Sequence, residues 1–156
     1  MGGPIQYFMA TTLSATDRQA SPAVAGRVLF ILRLEGLAVA AVSAVLYSRT
    51  GASWWLFAAL WLTPDLSMLG YFAGPCWGAR TYNSIHAFVT PITQALSALL
   101  LHQDKLLPYA LIWVNHIGVD RLLGYGLKYP AGFGWTHLGG PGGPRTEAIP
   151  TGQPLA

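Results

Sequence analysis

Four long apolar stretches dominate the pattern of hydrophobic and polar positions along the chain. They run over Val28–Ser48, Ala52–Phe72, Thr81–Leu101 and Leu106–Leu127. Each is about 21 residues long, which at a rise of about 1.5 Å per residue matches a hydrocarbon core of about 30 Å. Because a backbone inside a bilayer must satisfy its own hydrogen bonds, the pattern predicts four transmembrane α-helices.

The segments between these stretches predict how the helices pack. They are short and contain turn-forming residues: Arg49-Thr50-Gly51, Gly74–Gly78 and His102–Lys105. Helices joined by short loops are antiparallel neighbours, so the expected fold is an all-α, integral membrane four-helix up-and-down bundle. This transmembrane domain spans residues 25–130, between a polar N-terminal tail at 1–24 and a Gly/Pro-rich C-terminal tail at 131–156.

Composition and charge narrow the class of protein further. Charged residues make up 10% of the chain, against about 25% in soluble domains, and the mean hydropathy is +0.41. The net charge is +3, but the basic residues are scattered singly, which argues against nucleic acid as a partner. The single cysteine, Cys76, excludes an internal disulfide and a cysteine-based zinc motif.

Basic residues outside the spans predict the orientation. One side would carry five of them and the other side two, namely Arg18, Arg27, Arg80, Lys128 and Arg145 against Arg49 and Lys105. This bias predicts a multi-pass protein with both termini in the cytoplasm. Membrane lipids are the expected partners, and a membrane-protein partner or a homo-oligomer stays open.

Ionisable residues inside the predicted spans are the main functional signal. They are Arg33, Glu35, Asp65, His86, His116, Asp120 and Arg121. A charged side chain at the bilayer centre costs roughly 2.5–3.5 kcal/mol on insertion scales, so such residues indicate function. Counting along helices that alternate in direction brings one residue of each helix to one depth, within roughly 3 Å. These residues are Glu35, Asp65, His86 and Asp120. His116 follows one turn deeper, on the helix face of Asp120.

Imidazoles and carboxylates in one layer are a ligand set for Zn²⁺, Fe²⁺ or Mn²⁺. The predicted ligands of such a divalent metal are Asp65, His86, His116 and Asp120, with Glu35 as a candidate fifth. Residues around the ligands are expected to orient them. Those predicted to do so are Tyr82 and Asn83, about one turn before His86, and Arg121 next to Asp120.

The same residues also fit two alternatives to a metal site. Buried His–Asp and Arg–carboxylate pairs can stabilise a membrane bundle without a metal, with Arg33 or Arg121 neutralising the acids. A chain of such groups can also conduct protons or ions. The sequence leaves all three hypotheses open.

The segment after the last span adds polar groups at the predicted cytoplasmic mouth of the bundle. Lys128, Thr136 and His137 belong to it. It is interpreted either as a lid or headgroup contact, or as an anchor at the membrane edge.

Together these residues resemble a family of small bacterial membrane proteins described as a domain of unknown function. The resemblance covers about residues 30–140. It rests on these motifs: Arg33-Leu34-Glu35-Gly36, Pro64–Tyr71, Tyr82-Asn83 with His86, His116-Ile117-Gly118 with Asp120-Arg121, Gly124–Pro130 and Thr136-His137-Leu138. It implies a protein of the bacterial inner membrane and supplies no activity.

A looser similarity links the chain to membrane-bound metal-dependent hydrolases. Pro64-Asp65, His86 and His116 fit their outline, whereas the further acidic and histidine motifs of those proteins are missing here. Two function hypotheses follow. In one, metal-activated water hydrolyses a lipid-linked ester or phosphoester near the cytoplasmic face. In the other, the protein is a non-enzymatic accessory subunit, small carrier or proton path, and whether it is an enzyme stays open.

Overall fold

The computed structural model describes residues 23–24 and 26–139. This part of the chain contains five α-helices and two 3₁₀-helices. In chain order they are α1 (Gly26–Arg49), α2 (Trp54–Leu60), a 3₁₀-helix (Thr63–Ala73), α3 (Pro75–His86), α4 (Val89–Leu100), a short 3₁₀ turn (Asp104–Leu106) and α5 (Leu107–Leu123). Within these ranges there is no strand, only an isolated bridge between Lys128 and Thr136. The expected all-α fold is confirmed, and the predicted tails at 1–22 and 140–156 lie outside the described residues.

Two helical segments are long and apolar enough to cross a membrane. They are Gly26–Arg49, with 24 residues, and Trp54–Ala73, with 20 residues. The third predicted span is divided between α3 and α4, each of 12 residues, and α5 has 17 residues. The predicted helices are thus present, but the later ones are shorter than the apolar stretches that predicted them.

A proline explains why the second segment changes its helix type midway. Pro64 has no N–H to donate to the carbonyl of Leu60, so the α-helical bonding pattern of α2 cannot continue through it. The Thr63 hydroxyl donates to that carbonyl instead, at 2.6 Å. The backbone then continues as a 3₁₀-helix, and Asp65 lies in its first turn.

The third span is interrupted in a related way. Pro91 predicts a kink, and the structure has a full break at Ala87 and Phe88, with Ala87 in an extended conformation. The break lies at the residue four before Pro91, where the α-helical hydrogen bond to the proline is missing. It makes His86 the last residue of α3.

Small residues bring α1 and α5 into close contact. Gly36 and Gly118 face each other, and a Cβ atom built on Gly36 would lie 2.6 Å from the Leu122 nitrogen and 2.8 Å from the Gly118 oxygen. One turn further along, the Asn115 amide donates to the Ala40 carbonyl at 2.8 Å. Close backbone approach through small residues is typical of helix pairs in membranes.

The 3₁₀-helix packs antiparallel to α3. The Thr81 hydroxyl donates to the Ser67 carbonyl at 2.9 Å, and Gly78 lies directly against the ring of Tyr71. A repeat of about three residues per turn places Ser67 and Gly70 on one face, towards Thr81. This pairing brings the start of the 3₁₀-helix to the end of α3, and so Asp65 to His86.

The segment after α5 folds back over the helices. Gly124 ends α5 in the left-handed conformation with φ of 93°, and Arg33 donates to the exposed Leu123 carbonyl at 3.0 Å. Asn83 then holds the backbone of Lys128 with two hydrogen bonds of 2.7 and 2.9 Å. The described part of the predicted C-terminal tail, residues 131–139, continues this layer.

Candidate metal centre

Three elements bring two carboxylates and two imidazoles to one point. Asp65 comes from the first turn of the 3₁₀-helix, His86 from the end of α3, and His116 and Asp120 from one face of α5. One ligand atom from each residue lies within 4.8 Å of all the others. The structure therefore brings together the four main predicted ligands, whereas Glu35, the candidate fifth, is not among them.

Five of the six separations between these atoms are similar, and the sixth, between the two carboxylates, is within 4.8 Å. The two Nε2 atoms of His86 and His116 are 3.2 Å apart. Asp65 Oδ1 lies 3.4 Å from the first and 3.5 Å from the second. Asp120 Oδ2 lies 3.6 Å from His86 Nε2 and 3.7 Å from His116 Nε2. Tetrahedral ligands with metal bonds of about 2.0–2.2 Å would be about 3.3–3.6 Å apart, so this group could hold one metal ion.

The backbone fixes which nitrogen of His86 faces the group. His86 Nδ1 lies 3.1 Å from the Tyr82 carbonyl oxygen, which can only accept a hydrogen bond. The proton is therefore assigned to Nδ1, and Nε2 presents a lone pair to the other ligands. Such a bond from the second ring nitrogen is the usual support of a metal-binding histidine.

Tyr82 contacts two of the four residues at once. Its ring stacks on the imidazole of His86 with centroids 3.7 Å apart and an interplanar angle of 9°. Its hydroxyl donates to Asp120 Oδ2 at 3.3 Å. The residue is buried, so these contacts restrict the rotation of His86 and orient the carboxylate of Asp120.

Side chains of α5 satisfy the carbonyls that the break after His86 leaves free. Arg121 donates from Nη2 to the His86 oxygen at 2.9 Å. Trp113 donates from its indole nitrogen to the Ile85 oxygen at 2.8 Å. Irregular backbone in an apolar interior is tolerated only with such partners, so α5 both supplies two members of the group and holds a third in place.

Burial leaves the group accessible from one direction. The side chains of His86 and His116 are 0% and 1% exposed and that of Asp120 is 14% exposed, whereas Asp65 is 34% exposed. The edge of Trp61 faces His116, with centroids 5.1 Å apart. A small molecule could therefore approach on the side of Asp65.

In the part of the chain that the structure describes, the carboxylates of the group form no direct ion pair with a Lys or Arg side chain. Among the residues that the structure describes, no Lys or Arg nitrogen lies within 4.0 Å of Asp65 or Asp120. Of the two kinds of pair expected in a purely structural network, the Arg–carboxylate pairs are thus missing from this part of the chain and the His–Asp contacts are present. A divalent cation would neutralise two carboxylates between two neutral imidazoles.

The remaining residues predicted for the site lie outside the group of four. Glu35 is exposed, because Gly36 is the residue of α1 that faces α5. The side chain of Asn83 forms its two hydrogen bonds with the backbone of Lys128, and neither bond involves the group of four. Arg121 contacts the backbone of His86 and that of Tyr125, the latter at 2.6 Å.

The residues predicted at the mouth are part of the layer that covers the helices. Lys128 is buried, lies over the ring of Phe133 at 3.7 Å, and donates to the Phe133 carbonyl at 2.9 Å. Burial lowers the pKa of Lys128, although the charges of Asp120 and Asp65 act in the opposite direction. Thr136 is buried opposite Lys128, and His137 Nδ1 accepts a hydrogen bond from the Leu127 nitrogen at 2.8 Å.

Two tryptophans beside the centre did not stand out in the sequence. Trp61 precedes Asp65 by four residues and Trp113 precedes His116 by three, so helical spacing from a ligand was the signal that could have found them. Ser67 also approaches His86, with 3.5 Å between its hydroxyl and Nδ1.

Fold and site together define a class: an all-helical protein with a buried Asp/His group that could hold a metal ion, and with two segments able to cross a membrane. Residues 29–140 match the family model described as a domain of unknown function, DUF4260. The match covers most of the chain, which therefore belongs to that family. None of the curated proteins and none of the solved structures matches the chain.

Proposed function

We propose that this protein is a multi-pass membrane protein that binds one divalent metal ion through Asp65, His86, His116 and Asp120. The observation that carries the proposal is the set of five donor separations between 3.2 and 3.7 Å. A network of hydrogen bonds does not require such similar spacing in five of the six pairs. The assigned Nε2 lone pair of His86, directed at two carboxylate oxygens, supports the same conclusion because all three atoms attract a cation.

The outer surface supports placement in a membrane. The outward faces of α1 and α4 carry large exposed apolar side chains, among them Phe30 at 62%, Val42 at 58% and Leu100 at 70% exposure. Soluble monomers rarely expose contiguous apolar patches beyond a few hundred Å². We infer four crossings, with α3 and α4 forming one broken crossing, and the termini and the metal centre towards the cytoplasmic side.

The chemistry that suits this centre is hydrolysis of a lipid-linked ester or phosphoester. A divalent metal lowers the pKa of a bound water and polarises the oxygen of the bond to be cleaved. Asp65 lies on the accessible side, where its carboxylate can accept the proton of an attacking water or hold the metal. Asp65 is partly exposed, and the outer surface of the protein is apolar. This combination favours a substrate that arrives from the lipid phase.

Full-length protein, purified in detergent without chelators, is expected to carry about one metal ion per chain. Elemental analysis by mass spectrometry measures both the amount and the identity, for which Zn, Fe and Mn are the candidates. Metal-free protein that also fails to take up any of the three ions on titration would contradict the metal centre. It would leave the four residues as a structural hydrogen-bond network.

Reporter fusions test the membrane arrangement independently of the metal. A reporter at residue 103 is expected on the outer side and one at the C-terminus in the cytoplasm, since the basic residues favour that orientation. The control is the same pair of fusions in a variant with Arg27 and Arg80 exchanged for glutamine, where the preference should weaken. Outer-side signal from the C-terminal fusion of the unchanged protein would contradict the orientation.

A further inference from the structure

A cavity of about 220 Å³ lies between α1, α5 and the C-terminal segment. Three ionisable side chains line it: Glu35, Arg121 and His137. The apolar part of the wall is formed by Leu32, Val39 and Phe88. It is smaller than the roughly 300–1,000 Å³ of pockets for drug-sized ligands, so its size suits a small polar group.

Arg121 provides unused hydrogen-bond donors at this cavity. Guanidinium has five N–H groups, and two of them are used for the carbonyls of His86 and Tyr125. The residue is 9% exposed, and no carboxylate of the described residues lies within 4.0 Å of it. An anionic ligand there would gain charge-assisted hydrogen bonds from the guanidinium.

His137 adds a neutral donor on the same side. Its Nδ1 accepts a hydrogen bond from the Leu127 nitrogen, which places the proton on Nε2. Burial lowers the pKa of His137, and the positive charge of Arg121 lowers it further. The imidazole is therefore neutral at pH 7, and it can complement Arg121 at an anion by donating from Nε2.

Glu35 contributes the opposite charge. Its carboxylate lines the same cavity as Arg121, yet the two form no ion pair within 4.0 Å. A cavity lined by one negative and one positive side chain that do not pair with each other is complementary to a ligand with one positive and one negative group. Each end of such a ligand would gain a charge-assisted hydrogen bond, which is stronger than a neutral one.

We propose that this cavity binds a zwitterionic group in which an ammonium is joined to a phosphate, with the phosphate at Arg121 and His137 and the ammonium at Glu35. Two sources share this chemistry, the headgroup of phosphatidylethanolamine and free phosphoethanolamine. The cavity contains none of the four candidate metal ligands, although Arg121 also donates to the His86 carbonyl, and the proposal does not require a bound metal.

Binding to the full-length protein in detergent tests this site by isothermal titration. The probes are dihexanoyl-phosphatidylethanolamine, the matching phosphatidylglycerol and phosphatidylcholine, and soluble phosphoethanolamine. Phosphatidylethanolamine is expected to bind about tenfold more tightly than the other two lipids, because only its ammonium can donate to Glu35. Binding of free phosphoethanolamine at the same affinity would assign the site to the soluble compound, and much weaker binding would assign it to the lipid.

Two variants identify the cavity as the site. Glu35→Gln should abolish the preference among the three lipids, and Val39→Phe should weaken binding of all of them by filling the apolar wall. Helical circular dichroism and the unfolding midpoint verify that each variant is folded. Glu35 is exposed, so its replacement by glutamine should not disturb the packing of α1. Equal affinity for the three lipids, or a preference that survives Glu35→Gln, would overturn the proposal. Metal content is measured in parallel, so failure here is distinguishable from failure of the metal centre.

Discussion

Replacing His86 with glutamine is expected to remove bound metal from the purified protein while the helices stay folded. Glutamine approximates the size of histidine and can still hydrogen bond, but it lacks the imidazole nitrogen that faces the other ligands. Loss of even a residue that supports a ligand lowers metal affinity by roughly 10–100-fold, so loss of a ligand should exceed that. Elemental analysis of the purified variant gives the occupancy, and circular dichroism reports the fold.

Asp120→Asn extends the same test to a carboxylate. The amide keeps the shape of the side chain and can still accept from the Tyr82 hydroxyl, which is 3.3 Å from Oδ2 in the native protein. Its weaker donor oxygen should nevertheless reduce metal occupancy nearly as much as the histidine replacement. We therefore expect His86→Gln and Asp120→Asn to lose similar amounts of bound metal.

Matched controls come from the loop between α4 and α5. His102→Gln and Asp104→Asn make the same chemical changes at exposed positions outside the group of four. They should leave the metal content at the native level. If the native protein and all four variants are equally metal-free, and His86→Gln mainly lowers the unfolding midpoint, the four residues stabilise the fold without a metal.

Replacing Gly36 with leucine is expected to disrupt the packing of α1 on α5. Even a single Cβ at this position would lie 2.6 Å from the Leu122 nitrogen and 2.7 Å from the Arg121 Cβ, and backbone cannot move aside as a flexible side chain can. Overpacking a core typically costs about 1–3 kcal/mol, and a leucine against backbone should reach the upper end or exceed it. Gly36→Ala should show a smaller loss of the same kind.

Titration with a denaturing detergent, followed by helical circular dichroism, measures the free energy of unfolding in these variants. Ala41→Leu is the matched control because it adds the same side chain on the exposed face of the same helix. It should stay within about 0.5 kcal/mol of the native protein, as is usual for surface substitutions. Similar stabilities for Gly36→Leu and Ala41→Leu would show that this close contact between α1 and α5 is not formed.

Depth along the helices was predictable from the sequence, and rotation about their axes was not. The rise per residue is nearly constant, so counting residues was enough to align Asp65, His86 and Asp120. Glu35 was predicted at the same depth, but it does not join the group of four. The neighbouring Gly36 is directed at α5 by the contact with Gly118, and only the packed helices determine that rotation.

The interruptions of the helices were only partly predictable. Pro64 and Pro91 indicate where an α-helical hydrogen bond must be missing. Whether the chain kinks, breaks or changes to a 3₁₀-helix depends on which donors reach the free carbonyls. Those donors are the Thr63 hydroxyl nearby in sequence and Arg121 far away in sequence.

The sequence by itself determined the helical class of this protein, the positions of its apolar segments, and five candidate ligands, four of which meet at the candidate metal centre. These properties follow from local periodicity and from the high cost of ionisable groups in apolar surroundings. Only the tertiary structure decided that Asn83 holds the covering segment, that Tyr82 supports both His86 and Asp120, and that Glu35 lines a cavity with Arg121. Those roles depend on which side chains lie across from each other, and contacts between distant segments are not encoded in the local pattern of either one.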